Sequence, residues 1–599
     1  MVQLTTILAP TCNGDHYRLQ TEPVVTPRIH FTDADSASEP YSDWPNDIHT
    51  AFPSPPVFDG SLAIQKHLKN VFNDMKSIQF SMPRSSSVTR EKLGAFLDSV
   101  QGETDAWQSL PTSKERYTWP EFFEFWWKTY GLEATRPLHS KYKDLSRPLS
   151  NYFINSSHNT YLVGDQLASA SDPEAYKAVL RGGCRCIEID VWNGDTTTET
   201  SQKHRRSSIP SQNRLPYPKD EPIVTHGWTL ATPCGFREVC QAIGESAFET
   251  NDLPVIVSLE VHASIEQQNM MVSIMKEEWG EMLLDEPFEG IDPRFRLPTL
   301  EEVKRKILIK VKKAQHKIEV PQSTASPSAI IEPDITTALS NLGIYTFSEH
   351  FKSLETPAAK KPGHVFSLSE STIFRLHPTK AREMFAHNKH YFMRAFPDGA
   401  RVDSSNPDPS QFWRKGVQMV SLHWQCLDEG RMINEAMFRN EKGWVLKPPG
   451  YRSTDRQTES ELDAVPQGSL DLTVTIIAGQ HVWAPDGDGA YGRGRSLRVF
   501  VKCELHVEIG PATTNAATED DFKLKTGTRK TDHPEWDDRA RLKFPRVSRV
   551  VEQLAFIRWE GLFWFTLIIF ISPVAKTSAP SNCGGPVGPL HDETQNVRD

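Results

Sequence analysis

Strands that alternate with helical stretches over residues 150–313, and again from Val365 to Pro448, constrain this chain more than any other feature. That alternation is the signature of βα units laid around a parallel sheet. The strands also share a habit at their ends. Phe153-Ile154-Asn155-Ser156-Ser157 runs into the pair His158-Asn159, and Cys184–Val191 carries Glu188 and Asp190 two residues apart. Strand alternation turns both carboxylates to one face. Val224-Thr225-His226-Gly227 and Val255–Glu260 end in a histidine and a carboxylate. After a Pro/Ser-rich connector at 314–335 the pattern resumes with Val365–Ser369, Tyr391–Ala395, Val417–Leu422 and Gly443–Pro448. Four strands before the connector and four after it predict an eight-stranded closure with polar groups at one rim.

The rest of the chain reads differently. Residues 1–60 are rich in Pro, Ser, Thr and Asp without periodicity and are expected to lack a fixed fold. Within 61–135, Leu68, Val71, Phe72 and Met75 recur at helical spacing, and Arg90–Leu97 and Glu121–Trp127 read as further helices. The pairing of helices suggests an EF-hand-like module, but the acidic loop that binds calcium is missing around Gln101-Gly102-Glu103. Thr196–Glu221 reads as a surface insertion and Ser453–Gln467 as a polar linker. Residues 466–560 switch to two-residue alternation, beginning at Leu470–Ile477, which predicts a separate β-sandwich. Leu562–Ile571 is the most apolar run, but at ten residues it is too short for a bilayer, which takes about 20, and reads as a strand or divergent tail within 561–599.

A formal charge of -10 argues against a diffuse cationic surface for nucleic acid. The eight cysteines form no CxxC pair and no secretory signal opens the chain, so a reduced, cytoplasmic setting is expected. Cys184, Cys186, Cys234 and Cys240 read as packed thiols rather than zinc ligands.

Asn159, Glu188, Asp190 and Glu260 would offer only oxygen ligands, three of them anionic, which suits Ca²⁺ or Mg²⁺, with calcium preferred. Carboxylates that converge without a cation repel one another and push a pKa upward. His158 and His226, at strand ends beside these groups, suit proton transfer or hydrogen bonding to a phosphoryl oxygen. His262 and His423 read as structural histidines. Lys310 and Lys312 share a strand face, and with Arg394 and Ser369 at other strand ends they would make a phosphate pocket.

These residues resemble a known family. S-S-H-N-T-Y-L, C-I-E-I-D-V-W, V-T-H-G, V-S-L-E, I-L-I-K-V-K, F-S-L-S-E, Arg394 before F-P-D-G, and R-V-D-S-S-N stand in the order found in eukaryotic phosphoinositide-specific phospholipase C. The resemblance assigns 145–313 to the X half and 336–452 to the Y half of a distorted TIM-type (β/α)8 barrel, between the EF-hand-like module and a C2-like domain, in a delta-type layout of the kind found in fungi. It implies calcium-dependent hydrolysis of phosphatidylinositol 4,5-bisphosphate to diacylglycerol and inositol 1,4,5-trisphosphate through a cyclic phosphodiester, by a protein peripheral at membranes without a transmembrane span. Carried over by residue, it implies Asn159, Glu188, Asp190 and Glu260 as calcium ligands. His158 would stabilise the phosphoryl centre, Glu188 would be the base and His226 would assist the leaving group. Lys310, Lys312, Ser369 and Arg394 would bind the ring phosphates, with Phe396 packed on the inositol. Leu167, Trp228 and Leu230 would form a membrane ridge.

Three departures from the family pattern stand out. Phe396 replaces a tyrosine, Ala400 replaces an aromatic ridge residue, and after Glu560 the C2-like pattern stops, which predicts an incomplete sandwich with open strand edges. A silent phosphoinositide-binding scaffold and a metal-dependent glycerophosphodiesterase are the competing readings. Retention of both histidines and all four ligands argues against the first. The Lys310, Lys312 and Arg394 cluster has no clear purpose in the second.

Overall fold

The computed structural model describes residues 2–9, 62–77, 86–99, 110–126, 129, 143–194, 220–313, 335–348, 351–465, 469–479, 498–508, 518–531, 534–536, 541–548, 550–561 and 565–570. The expected insertion at 196–221 lies outside them apart from its last two residues, as does nearly all of the connector at 314–335.

Eight parallel strands form the centre of the molecule: β1 (Tyr152–Ser157), β2 (Cys186–Trp192), β3 (Val255–Val261), β4 (Ile307–Lys312), β5 (Phe347–Ser348), β6 (Val365–Ser369), β7 (Phe392–Phe396) and β8 (Met419–Leu422). Each pairs with the next, β8 returns to β1, and a single parallel bridge from Phe347 to His364 joins β5 to the start of β6. The result is a nearly closed TIM-type barrel. Helices follow the strands where capping chemistry starts them. Asp172 accepts from the Glu174 amide with Pro173 at the first turn of Pro173–Arg181, and Ser264 does the same for Ile265–Trp279 through Gln267.

Alternation sorts the barrel residues. Ile187, Ile189, Val191, Val257, Ile309 and Val311 pack outward in one buried cluster with Val239 and Ile243 of helix Phe236–Ser246 and Met271 and Ile274 of helix Ile265–Trp279. Ile154, Cys186, Ile256, Leu308, Phe392 and Met419 fill the inner layer near the strand starts. Register then carries the interior from apolar to polar. Cys186 pairs with Ile256, Glu188 with Ser258 and Asp190 with Glu260, while Ser258 pairs with Lys310 on the next strand.

Two strand assignments from sequence need correction. Ile223–Val224 is no stave: it runs antiparallel to β2 outside the barrel and places His226 on a loop. Trp444–Leu446 likewise pairs antiparallel with β1. The stave missing from the sequence reading is β5, Phe347–Ser348, whose two residues are too few for periodicity to register.

Around the barrel lie two other assemblies. Helices Leu62–Ser77, Arg90–Ser99 and Trp119–Trp126 share a core of Leu68, Phe72, Leu93, Leu97 and Phe122, with an antiparallel ribbon between Ser87–Thr89 and Arg116–Thr118. Gln101–Glu103 lies outside the described residues. Beyond the barrel, two four-stranded sheets enclose Leu472, Val474, Cys503, Trp536 and Ile557. Two segments far apart in the chain join these sheets, one correcting an expectation and one meeting the strand reading of the apolar run at 562–571. Val2–Ala9, within the segment expected to lack structure, pairs over its full length with Ser469–Ile476. Phe565–Phe570, within the expected tail, pairs with Phe556–Gly561. An exposed strand edge favours pairing with a largely apolar segment within reach, and both segments are of that type.

Candidate active site

Three carboxylates meet at the C-terminal rim of the barrel. Glu188, Asp190 and Glu260 each present an oxygen within 4.8 Å of the others. Glu188 and Asp190 are buried, whereas Glu260 faces the mouth. Adjacency of β2 and β3 in register is what brings Asp190 beside Glu260. Asn159 joins them from the loop after β1. Its backbone amide donates to Glu188 Oε2 at 3.1 Å, with φ at 43°. Its side-chain Nδ2 donates to Gln166 Oε1 at 2.8 Å, which leaves Oδ1 as the ligand-capable atom of that amide.

The electrostatics are asymmetric. Burial pushes the Glu188 carboxyl upward, but Arg394, then His158 and Lys310, outweigh it and hold the group at about 2. Arg394 Nη2 lies 2.7 Å from Glu188 Oε2, both side chains almost wholly buried. Asp190 lacks such a cation. Burial, then the charges of Glu260 and Glu188, raise its pKa well above the carboxylate range. Tyr161 donates to its Oδ2 at 2.6 Å, and Oδ1 is buried with no hydrogen-bond partner. An all-oxygen set with an orphaned buried oxygen fits a hard metal ion.

The cationic groups stand below and beside the carboxylates. Lys310 is buried, donates to Ser258 Oγ at 3.0 Å, and is brought to about 8 by burial and by Arg394. Arg394 thus sits against Glu188, with its side chain 3% exposed. Lys312, one layer nearer the mouth, is half-buried. The Ser369 hydroxyl caps helix Glu370–His390 by accepting from the Thr372 amide. Phe396 lies parallel to the His158 ring, with centroids 5.9 Å apart, and the Arg394 guanidinium is 5.6 Å from its centroid.

His158 Nε2 lies 3.8 Å from Glu188 Oε2, and burial above all lowers the ring's pKa to about 3. His226 reaches the same rim from outside the barrel, its Nδ1 2.7 Å from the Gln166 carbonyl oxygen. A carbonyl only accepts, so that nitrogen carries the proton. His262, read as structural, meets Glu260 Oε1 at 3.0 Å and stacks on Trp192 at 4.1 Å.

Leu167, Trp228 and Leu230 come together above this rim, with Trp228 95% exposed and Leu230 70%. The Leu230 amide donates to the Leu167 carbonyl at 2.8 Å. The Trp228 ring meets Trp192 edge-on at 5.7 Å. Val163, 50% exposed beside them, carried no sequence signal.

Sequence reasoning passed over Tyr161, Gln166 and Ser258, whose roles depend on contacts between loops and strands. His423 is a different case, because a signal existed. Leu422 pairs with Ser157, so S-L-His423-W and S-S-His158-N end adjacent staves alike.

Comparisons with known proteins align with this geometry. Residues 145–313 match the family described as phosphatidylinositol-specific phospholipase C, X domain, and residues 339–450 match its Y domain. The chain is 36% identical over 388 residues to 1-phosphatidylinositol 4,5-bisphosphate phosphodiesterase 1 of Candida albicans, a match covering 56% of this chain and 35% of that protein. It is 34% identical over 377 residues to the delta-4 phosphodiesterase of Homo sapiens, covering 57% and 46%. The matches therefore span less than half the length of these relatives. The crystal structure of S. officinalis PLC21 superposes with a TM-score of 0.65 at 25% identity, covering 84% of this chain and 64% of that one.

Proposed function

Because the chain belongs to the phosphatidylinositol-specific phospholipase C family through its X and Y domains, we propose that it is a calcium-dependent phosphoinositide phospholipase C. Its substrate is phosphatidylinositol 4,5-bisphosphate and its products are diacylglycerol and inositol 1,4,5-trisphosphate. The observation that carries this reading is the joint presence, at one rim, of three converging carboxylates, His158 and the cations Lys310 and Arg394.

Asn159, Glu188, Asp190 and Glu260 would hold Ca²⁺, which would supply charge neutralisation for the phosphoryl transfer. Glu188, kept ionised, is poised as the base for the inositol 2-hydroxyl. Attack from the same molecule forms the cyclic phosphodiester, so holding the headgroup in place contributes strongly to rate. An anionic phosphodiester beside His158 Nε2 favours the protonated ring, which then donates a hydrogen bond to the phosphoryl oxygen. His226, with Nδ1–H anchored to the Gln166 carbonyl, presents Nε2 to the diacylglycerol oxygen. Lys310, Lys312, Ser369 and Arg394 bind the ring phosphates and Phe396 packs on the ring.

Leu167, Trp228 and Leu230 dip into the bilayer surface, which makes the protein peripheral at membranes and cytoplasmic. No helix among the described residues is long and apolar enough to cross a membrane. The helical module is EF-hand-like and the paired sheets are C2-like, in the delta-type layout of fungal members.

Vesicles containing phosphatidylinositol 4,5-bisphosphate test the reading. Inositol trisphosphate release should rise with calcium, and His158→Ala should cut the rate at least about a hundredfold. No release from the wild-type chain at any calcium concentration would refute it.

A further inference from the structure

His423 ends β8 as His158 ends β1, and the two rings meet. His158 Nδ1 lies 3.1 Å from His423 Nε2, with ring centroids 5.0 Å apart and planes at 73°. His423 Nδ1 in turn lies 3.1 Å from the Ser405 carbonyl oxygen. A carbonyl can only accept, so His423 carries its proton on Nδ1. Neutral His423 then has a lone pair on Nε2, and His158 must supply the proton for the bond between them.

The backbone around His423 is fixed on both sides. Its amide donates to Asn406 Oδ1 at 2.7 Å, and Asn406 Nδ2 returns a bond to its carbonyl at 3.1 Å. Asn406 is held through its own amide by Asp428 Oδ2 at 2.6 Å. His423 is 1% exposed, and the charges of Glu188, Asp428 and Arg401 act on it from around the rim. Burial lowers its pKa, which keeps the ring in the neutral form that the chain of contacts requires.

We propose that His423 is a positioning residue for His158: the chain Ser405 carbonyl, His423, His158 fixes the catalytic ring with its proton on Nδ1 and turns Nε2 alone toward the phosphoryl group. The bond is indifferent to the charge on His158, because Nδ1 is a donor in both the neutral and the protonated ring. The bond therefore holds the ring in one orientation while Nε2 faces the rim. A group held in this way needs no reorientation before it acts.

This inference rests on the phospholipase reading for the role of His158, whereas the ring contact stands independently of it. His423→Leu removes the acceptor, and His423→Gln places an amide oxygen where Nε2 was. Hydrolysis of phosphatidylinositol 4,5-bisphosphate vesicles at saturating calcium should show kcat reduced roughly ten- to hundredfold in His423→Leu, with KM within about twofold. His423→Gln should recover most of that loss. In a His158→Ala background, His423→Leu should add less than about a twofold effect. Ring ¹⁵N shifts of histidine-labelled protein, assigned with His158→Ala, should show His158 protonated at Nδ1 in the wild type and as a tautomer mixture in His423→Leu. Equal defects in the Leu and Gln variants, a full defect persisting without His158, or an unaltered His158 tautomer would each overturn the proposal. If the wild-type chain hydrolyses no phosphoinositide, the phospholipase reading fails, and the ¹⁵N shifts still decide whether His423 sets the tautomer.

Discussion

Tyr161 illustrates how much of the site is decided by single atoms. It is fully buried and donates to Asp190 Oδ2, so it orients a carboxylate whose other oxygen has no partner. Tyr161→Phe should raise the half-saturating terbium or calcium concentration about tenfold, as loss of a partner behind a metal ligand commonly does. Luminescence titration of the full chain measures it, and an unchanged affinity would remove Tyr161 from the site. The residue types at strand ends were readable because chemistry narrows them: four oxygen ligands, two histidines and three basic groups admit few other purposes. Arg394 was readable as a cation but not as the partner of Glu188, because β7 and β2 are separated by about two hundred residues of chain. Only closure of the barrel puts them within reach of each other.

Elements depend on a few close approaches. At Gly443, φ is +77° and a Cβ would fall 2.3 Å from the Gly183 carbonyl oxygen. The Arg185 side chain closes the other side at 2.5 Å, and the Gly183 backbone cannot move aside as a flexible side chain could. Gly443→Ala should lower the melting temperature by at least about 5 °C, read by calorimetry. At Gly227 a Cβ would fall 1.8 Å from the Trp192 ring, which supports both His262 and Trp228. The loop carrying the exposed rim residues is therefore anchored on one indole. Trp228→Ala should weaken binding to lipid vesicles by about 1–3 kcal/mol while leaving the melting temperature nearly unchanged, since the ring is 95% exposed. Equal vesicle binding would exclude Trp228 from the membrane contact. Helices with a clear apolar face, such as Leu62–Ser77 and Trp119–Trp126, were legible in the sequence. Phe347–Ser348 was not, and the strand read at Val224 was placed in the barrel, because a two-residue strand is defined only by the partner beside it.

The whole molecule is bound together where the sheets dock on the barrel. Phe556 packs against Trp413 at 5.9 Å, and Arg414 Nη1 donates to the Leu554 carbonyl at 3.3 Å. Beside this contact, His506 lies between Asp408 (3.1 Å), Glu429 (3.4 Å) and Glu504 (3.8 Å), while Arg558 pairs with Glu504 and Glu429 and Lys502 with Glu504. Burial alone would lower the His506 pKa, but Asp408 and Glu504 reverse this and raise it to about 9. A raised histidine stabilises fully below its unfolded value near 6.5 and loses that contribution as pH climbs through 9. Asp408 is affected by burial, which raises it, but His506 and Arg414 bring it to about 2, so its share is present above about 4 and lost only in strong acid. Thermal stability should therefore fall between pH 6.5 and 9.5 by up to about 3 kcal/mol, and His506→Phe should flatten that slope. An unchanged slope in the variant would show that other groups govern it. Sequence alone determined the alternation of strands and helices, the polar strand ends and the sandwich after the barrel, because each follows from local periodicity and side-chain chemistry. The tertiary structure decided which strands close the barrel, that Arg394 meets Glu188, that His423 meets His158 and that Val2–Ala9 and Phe565–Phe570 join the sandwich. Those facts depend on register and on contacts between residues far apart in sequence, which no local pattern encodes.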